Sequence, residues 1–402
     1  MEKKHLCYLV AFVLFASCSS NESKNSTLKN ICKINIDNIQ KKDTIFLSNY
    51  FKKVKFIELE TTDESLIGSF DGMIIHNDLI YIKDIWSAQR IFVFDKQGRF
   101  IRKIGQKGVG PNEYLSISDF TIDDITNTLL ICDYDSKKIF KYNIETGEFL
   151  ESVKIKSNDI FINDIVTIKE NILVNAIYYD NRTDPRFMLH VIDKDNGNIL
   201  KRWMNVNDFN CNWNELVSRQ GGFFYSKGQT PIKYTNFFNN IIYEITENGP
   251  NPYIMLESKN WVSCEDIKEM ANNSKHIREV YDEVIKRKFD FNISDFVEID
   301  NLIFLDFMRG QDIIKIVYDK NTKKAILSYN LFDDFIFDSF RIPCLKKVYS
   351  DKSGMYTVVR PESIPYFIDF LNNYSIKSES AVLLSKRQLS TESNPILIYY
   401  EK

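Results

Sequence analysis

The chain has 402 residues, 52 basic and 55 acidic side chains, a net charge of −3 and an apolar share of 44%. That balance is typical of globular chains. The weak negative charge, with no run of Lys or Arg, also argues against a nucleic-acid partner, which calls for a basic footprint.

The first residues have the layout of an export signal: basic Lys3 and Lys4, an apolar run from Leu6 to Phe15, small Ala16 and Ser17, then Cys18. The run is too short to cross a bilayer, for which a helix needs roughly 20 apolar residues. "FASC" resembles the lipobox of bacterial lipoproteins. The resemblance implies cleavage after residue 17, lipidation of Cys18 and a membrane as partner through that lipid. The absence of Asp after the cysteine points, within that class, to the outer membrane of the cell envelope. Phe15 stands where an aliphatic residue is usual, so a plain secretory signal is the competing reading. Residues 18–47 read as a polar tether and 48–402 as the folded domain. Beyond Cys18, five cysteines remain, namely Cys32, Cys132, Cys211, Cys264 and Cys344, with no CxxC spacing. They are expected to be buried thiols, with a single disulfide left open.

From residue 54 onward, short runs rich in Ile, Val, Phe and Tyr alternate with Asn, Asp, Gly and Lys turns, the pattern of an all-β chain. "RIFVFDKQGRFIRKI" at 90–104 aligns with "KIFKYNIETGEFLESVKI" at 138–155, placing Asp95 and Asn143 at equivalent positions 48 residues apart. Weaker copies of this hairpin occur at 187–204, 240–256 and 312–331. Repeats of about 40 to 50 residues fit the four-stranded blades of a β-propeller, which must stack to bury their faces. The last unit is one strand short, and "VKFIELET" at 54–61 is unassigned. The sequence thus predicts a six-bladed propeller closed by pairing strand 54–61 with strand 395–401, leaving no open edge.

The stretch "FDKQGRFIRKIGQKGVGPNEYLSISDFTIDD", with "VKFIELETTDESLIGSF" before it and "NPILIYYEK" at the C-terminus, resembles the six-bladed β-propeller lipoproteins of Bacteroidetes, similar in turn to NHL-repeat propellers. The resemblance implies a fold and does not imply a reaction.

Gly105, Gly108 and Gly110 suggest a phosphate loop, but no Gly-Lys-Ser/Thr follows and Pro111 to Tyr114 lead into another strand. The segment reads as a turn between blades. Asp84 and Asp133 end equivalent strands and are expected to accept backbone hydrogen bonds in the following turns rather than to hold a ligand.

With four antiparallel strands per blade counted from the axis, the second-to-third loops and the blade-to-blade connections emerge on one face, and the remaining short turns on the other. Helical inserts are expected near 263–290, opened by a Ser263/Asp266 capping box, and near 363–390. Both decorate the loop-bearing rim. The same rim carries Trp86, Tyr179, Arg182, Trp213 and Trp261, the candidate ligand-face residues, since Trp and Arg commonly anchor interfaces. The alternative for each tryptophan is that it staples an insert to a blade.

His76, His190 and His276 form no HxH or HExxH pair, no GxSxG is present, and no cofactor is indicated. No catalytic or metal-binding residue is therefore assigned. The reading is a ligand- or partner-binding propeller of the cell envelope, its partner a glycan, a peptide or an envelope protein. The alternative is a metal-dependent hydrolase of the lactonase type, with carboxylates from several blades at the channel mouth.

Overall fold

A computed structural model describes residues 31–157, 160–177, 186–209, 222–225, 231–272, 274, 276–336 and 349–402. The strands assemble the expected six-bladed propeller. From the axis outward, blade 1 is Gly72–His76, Leu79–Asp84, Arg90–Asp95 and Phe100–Ile104. Blade 2 is Asp119–Asp123, Thr128–Asp133, Lys138–Asn143 and Phe149–Lys154, and blade 3 is Phe161–Ile168, Asn171–Ile177, Phe187–Asp193 and Ile199–Asn205. Blade 4 is Gly222–Tyr225, Ile232–Asn236, Ile241–Thr246 and Gly249–Glu257; blade 5 is Asp290–Ile299, Leu302–Arg309, Asp312–Asp319 and Lys324–Ser328.

Blade 6 is built from both ends of the chain. Tyr349–Ser350, Gly354–Val359 and Ile396–Glu401 pair in order, and Lys53–Glu58 completes the sheet, Glu58 opposite Ile396 and Lys53 opposite Glu401. The predicted closure is therefore present, each strand end within three residues of its expected position. Asn394, buried just before the closing pair, donates to the carbonyls of Glu60 and Ser65 and accepts from the Ile67 amide at 2.7–2.9 Å.

The repeat visible in sequence has a local cause. Asp95, Asn143, Asp193 and Asp319 each end a third strand, and each side-chain oxygen accepts the amides of the turn that follows, as in Gln97 to Asp95 at 2.9 Å and Glu145 to Asn143 at 2.8 Å. Gly98 and Gly197 sit in these turns with φ of 83° and 75°. A Cβ at either would lie about 2 Å from a carbonyl of the preceding blade, Glu58 or Lys154, so glycine is required by contact as well as by conformation.

Apolar packing is concentrated between blades, as a ring of clusters. Ile57, Tyr356 and Leu397 of blade 6 meet Ile80, Ile82 and Phe92 of blade 1, while Ile74, Tyr81 and Val93 of blade 1 meet Phe120, Leu129 and Phe140 of blade 2. Further clusters join blades 2 to 4, 4 to 5 and 5 to 6. Ion pairs cross the same boundaries: Lys83 to Asp119 at 2.7 Å and Lys194 to Asp123 at 2.6 Å.

Two expectations require correction. Residues 31–47, assigned to the tether, pack on the propeller: Cys32–Asn35 pairs parallel with the outer strand of blade 4, Gln40–Lys41 with that of blade 5, and Ile45–Phe46 with Leu331–Phe332. Ile34, Ile36, Ile45 and Leu47 are buried there. The strap covers two outer edges that would otherwise expose unpaired backbone, and the folded body starts near residue 31. Second, Cys264 is disulfide-bonded rather than an inert thiol, whereas Cys132 is a thiol buried in the core. Cys18, Cys211 and Cys344 lie outside the described residues.

The inserts are helical where predicted. Cys264–Ala271 starts at Ser263, whose hydroxyl accepts the Asp266 amide while the Asp266 carboxylate accepts the Ser263 amide. The next helix, Ile277–Lys286, turns Ile277, Val280 and Val284 onto Phe237, Phe238 and Phe291. In blade 6, Ile364–Asn373 and Glu379–Ser385 pack Ile364, Leu371, Ala381 and Leu384 against the sheet. Among the described residues no helix is long and apolar enough to cross a membrane.

Candidate functional site

Strand direction puts the two faces of the propeller to different uses. The loop-bearing face collects most of the exposed large apolar side chains: Leu66, Trp86, Val109, Leu115, Tyr329, Tyr366, Tyr374, Val382 and Leu383 all belong to its connections or inserts. On the short turns of the opposite face, Ile125 is the one such residue among those described. Trp86 is 78% exposed and Tyr366 80%.

Of the residues expected on the ligand face, Trp86 is where the sequence places it, at the tip of the loop after Asp84. Trp261 is not presented to solvent in the same way: its indole N–H donates to the Phe238 carbonyl at 3.0 Å and its ring packs 5.8 Å from that of Phe307. It fastens the insert to the blades, the stapling role. Tyr179, Arg182 and Trp213 lie outside the described residues.

The glycine loop is a closed turn. The Glu113 carboxylate accepts the Gly110 amide at 2.9 Å and the Gln106 side chain at 3.0 Å, and the Gly108 amide donates to the Tyr114 carbonyl. These donors are spent internally, so the loop offers a phosphate no cradle. Tyr114, fully buried behind it, donates its hydroxyl to the Gln89 carbonyl.

Asp84 and Asp133 have the hydrogen-bonding role expected of them, and more. Asp84 accepts the Ser87 and Ala88 amides of the following loop at 2.9 and 3.0 Å. It also accepts the Gly68 and Ser69 amides of the connection arriving from blade 6. Asp133 repeats this with Asp135 and Ser136 on one side and Leu115 and Ser116 on the other. In blade 5 the charges are inverted, because Arg309 ends the second strand and forms a bidentate contact with buried Asp290 at 2.6 and 2.8 Å.

A cavity of about 690 Å³ opens on the opposite face, between the short turns of blades 4, 5 and 6. Sequence reasoning missed it, because its walls come from segments around 52, 231–253, 296–300, 352–353 and 402 that share no motif. At its floor Lys233, only 5% exposed, bonds Glu244 at 3.0 Å and lies 4.3 Å above the Tyr253 ring. Among the described residues, no three His, Cys, Asp or Glu side chains gather to hold a metal ion.

Fold and faces together define a six-bladed propeller with one loop-rich, apolar-tipped rim and one polar, cavity-bearing face. Residues 31–401 match the family model described as "Domain of unknown function (DUF4934)", and the chain belongs to that family. Two solved structures share the fold. One is a Bacteroides fragilis protein described as exported, with a TM-score of 0.67 and 19% identity over 92% of this chain and all of that one. The other is a DUF4221 family member from Bacteroides vulgatus, with a TM-score of 0.50 and 12% identity over 88% and 97%. Among curated proteins, an ATP synthase gamma chain of Clostridium botulinum is 27% identical over 182 residues, 44% of this chain and 60% of its own length.

Proposed function

We propose that this protein is an exported lipoprotein, anchored through Cys18 in the outer membrane, whose loop-bearing rim binds a glycan, a peptide or a protein of the cell envelope. The observation that carries the reading is the concentration of exposed apolar side chains on that rim, led by Val109, Tyr366, Trp86 and Leu383. An exposed apolar patch with polar surroundings is characteristic of an interaction surface, and propellers vary their function through such loops. The likeness to an exported Bacteroides propeller supports the compartment. Kinship with NHL-repeat propellers is part of the same proposal.

Thermal melting of the mature protein against oligosaccharide and peptide panels tests it. A rim ligand present at about 100 times its Kd stabilises the protein by roughly 2.7 kcal/mol. Trp86→Ala combined with Tyr366→Ala should remove that shift while leaving the unliganded melting temperature unchanged, because both side chains are exposed. A shift that survives the double substitution, or a stoichiometric divalent metal with hydrolysis of a lactone or ester panel, would overturn the reading. Cys18→Ala should move the protein from the membrane to the soluble envelope fraction; continued membrane retention would reject the lipid anchor.

A further inference from the structure

The cavity on the short-turn face has an uneven charge arrangement. Its lining holds four lysines, Lys52, Lys233, Lys352 and Lys402, against the acids Glu244, Glu298 and Asp300. Each acid is already engaged: Glu244 by Lys233 at 3.0 Å, Glu298 by Lys320 and the Tyr253 hydroxyl, and Asp300 by Lys402 at 2.8 Å. Lys52 and Lys352 reach no carboxylate within 4 Å among the described residues; Glu401, whose charge Lys52 does influence, is paired with Lys55. Two cations are thus left at the mouth, above a floor in which a nearly buried Lys233 is itself neutralised.

Burying a lysine and its carboxylate partner seldom adds stability over apolar packing, so such a pair is a weak structural device. It is a good polar floor. Carboxylate oxygens accept hydroxyl protons, and an ammonium donates to hydroxyl oxygens. The volume lies within the range of small-molecule sites, about 300–1,000 Å³. We infer that this cavity binds a small hydroxylated organic anion of the acidic-sugar type, its carboxylate held by Lys52 and Lys352 and its hydroxyls by the Lys233–Glu244 floor. The site is separate from the rim and goes beyond the function proposed for it.

Isothermal titration of the mature protein with glucuronate, glucose and inorganic phosphate tests the inference. Glucuronate should bind, glucose should not, and phosphate should bind more weakly because it cannot use the floor. Lys52→Gln and Lys352→Gln, both at exposed positions, should each weaken glucuronate by roughly tenfold, the equivalent of one hydrogen bond to a charged group. Raising salt to about 0.5 M should weaken it further, since the mouth is open to screening. Glucose binding as tightly as glucuronate, phosphate binding equally well, or wild-type affinity in both lysine variants would overturn it. Trp86→Ala should leave glucuronate affinity unchanged, so failure here and failure of the rim reading are distinguishable.

Discussion

Asp84→Ala is expected to lower the unfolding free energy by about 3–5 kcal/mol, read as a fall in the urea midpoint with an unchanged slope. The carboxylate is wholly buried and accepts four backbone amides, those of Gly68, Ser69, Ser87 and Ala88, plus the Ser69 hydroxyl at 2.9 Å. Removing it strips these part-buried amides of their acceptor, and each group left stranded costs about 1–3 kcal/mol before relaxation and hydration. Its position multiplies the effect. The Gly68 and Ser69 amides belong to the connection that follows the closing strand, so Asp84 holds blade 1 to the blade that joins the two chain ends. Asp84→Asn keeps one accepting oxygen but turns an NH2 donor toward the amides that the other oxygen served, so it should recover only a small part of the loss. A loss under about 1 kcal/mol for Asp84→Ala would mean that water or a shifted loop satisfies these amides, and that the clamp is not what fixes the connection.

How much of this was legible in the sequence depended on whether the signal was local. The repeated Asp or Asn at the end of the third strand in blades 1, 2, 3 and 5 is a side chain bonding its own turn, so alignment by turns found the blades. The Ser263/Asp266 box is equally local, and the helices of the 263–290 insert formed where expected. Closure was legible for a different reason: the last unit lacked a strand, an unused one stood at 54–61, and a propeller tolerates no open edge. The strap at 32–46 could not be seen, because "CKINI" is short and its strands exist only by pairing with blades more than 200 residues away. Half of the Asp84 role was hidden likewise, since Gly68 and Ser69 precede it by a whole hairpin. Trp261 shows the limit of reading an aromatic in a connection as exposed: what decides is whether its indole finds an acceptor, here the Phe238 carbonyl.

The second large effect concerns acid. His190 is buried in the core of blade 3, where desolvation, followed by the charge of Arg202, lowers its pKa to about 4. Its value in the unfolded chain is near 6.5, so its contribution to stability is complete above pH 6.5 and is lost as pH falls toward 4. Asp333 is displaced in the opposite sense. Burial raises its pKa to about 6, against the pull of a hydrogen bond from the Tyr400 hydroxyl and of the Ile336 and Phe335 amides. Its contribution is present below pH 3.8 and is lost as pH rises through 6. Each displacement corresponds to about 3 kcal/mol, with opposite sign over nearly the same window. Asp306, also raised by burial despite Lys315 at 2.6 Å, acts on the Asp333 side. Asp95, Asp123 and Asp351, held below the ordinary carboxylate value by their hydrogen bonds and cationic neighbours in spite of burial, act only at lower pH.

Urea unfolding at pH 7 and pH 4 of two variants separates the two contributions. Asp333→Asn should exceed the wild type by up to about 3 kcal/mol at pH 7, where the native carboxylate is ionised and buried, and should lose that advantage at pH 4. His190→Gln should gain about 3 kcal/mol relative to the wild type on going from pH 7 to pH 4, whatever its offset at neutral pH. A variant-to-wild-type gap that stays constant between these pH values would show that the residue does not titrate within the fold. A propeller that combines both groups is therefore nearly indifferent to mild acid through these two sites, and either substitution alone should reveal the half that the other conceals.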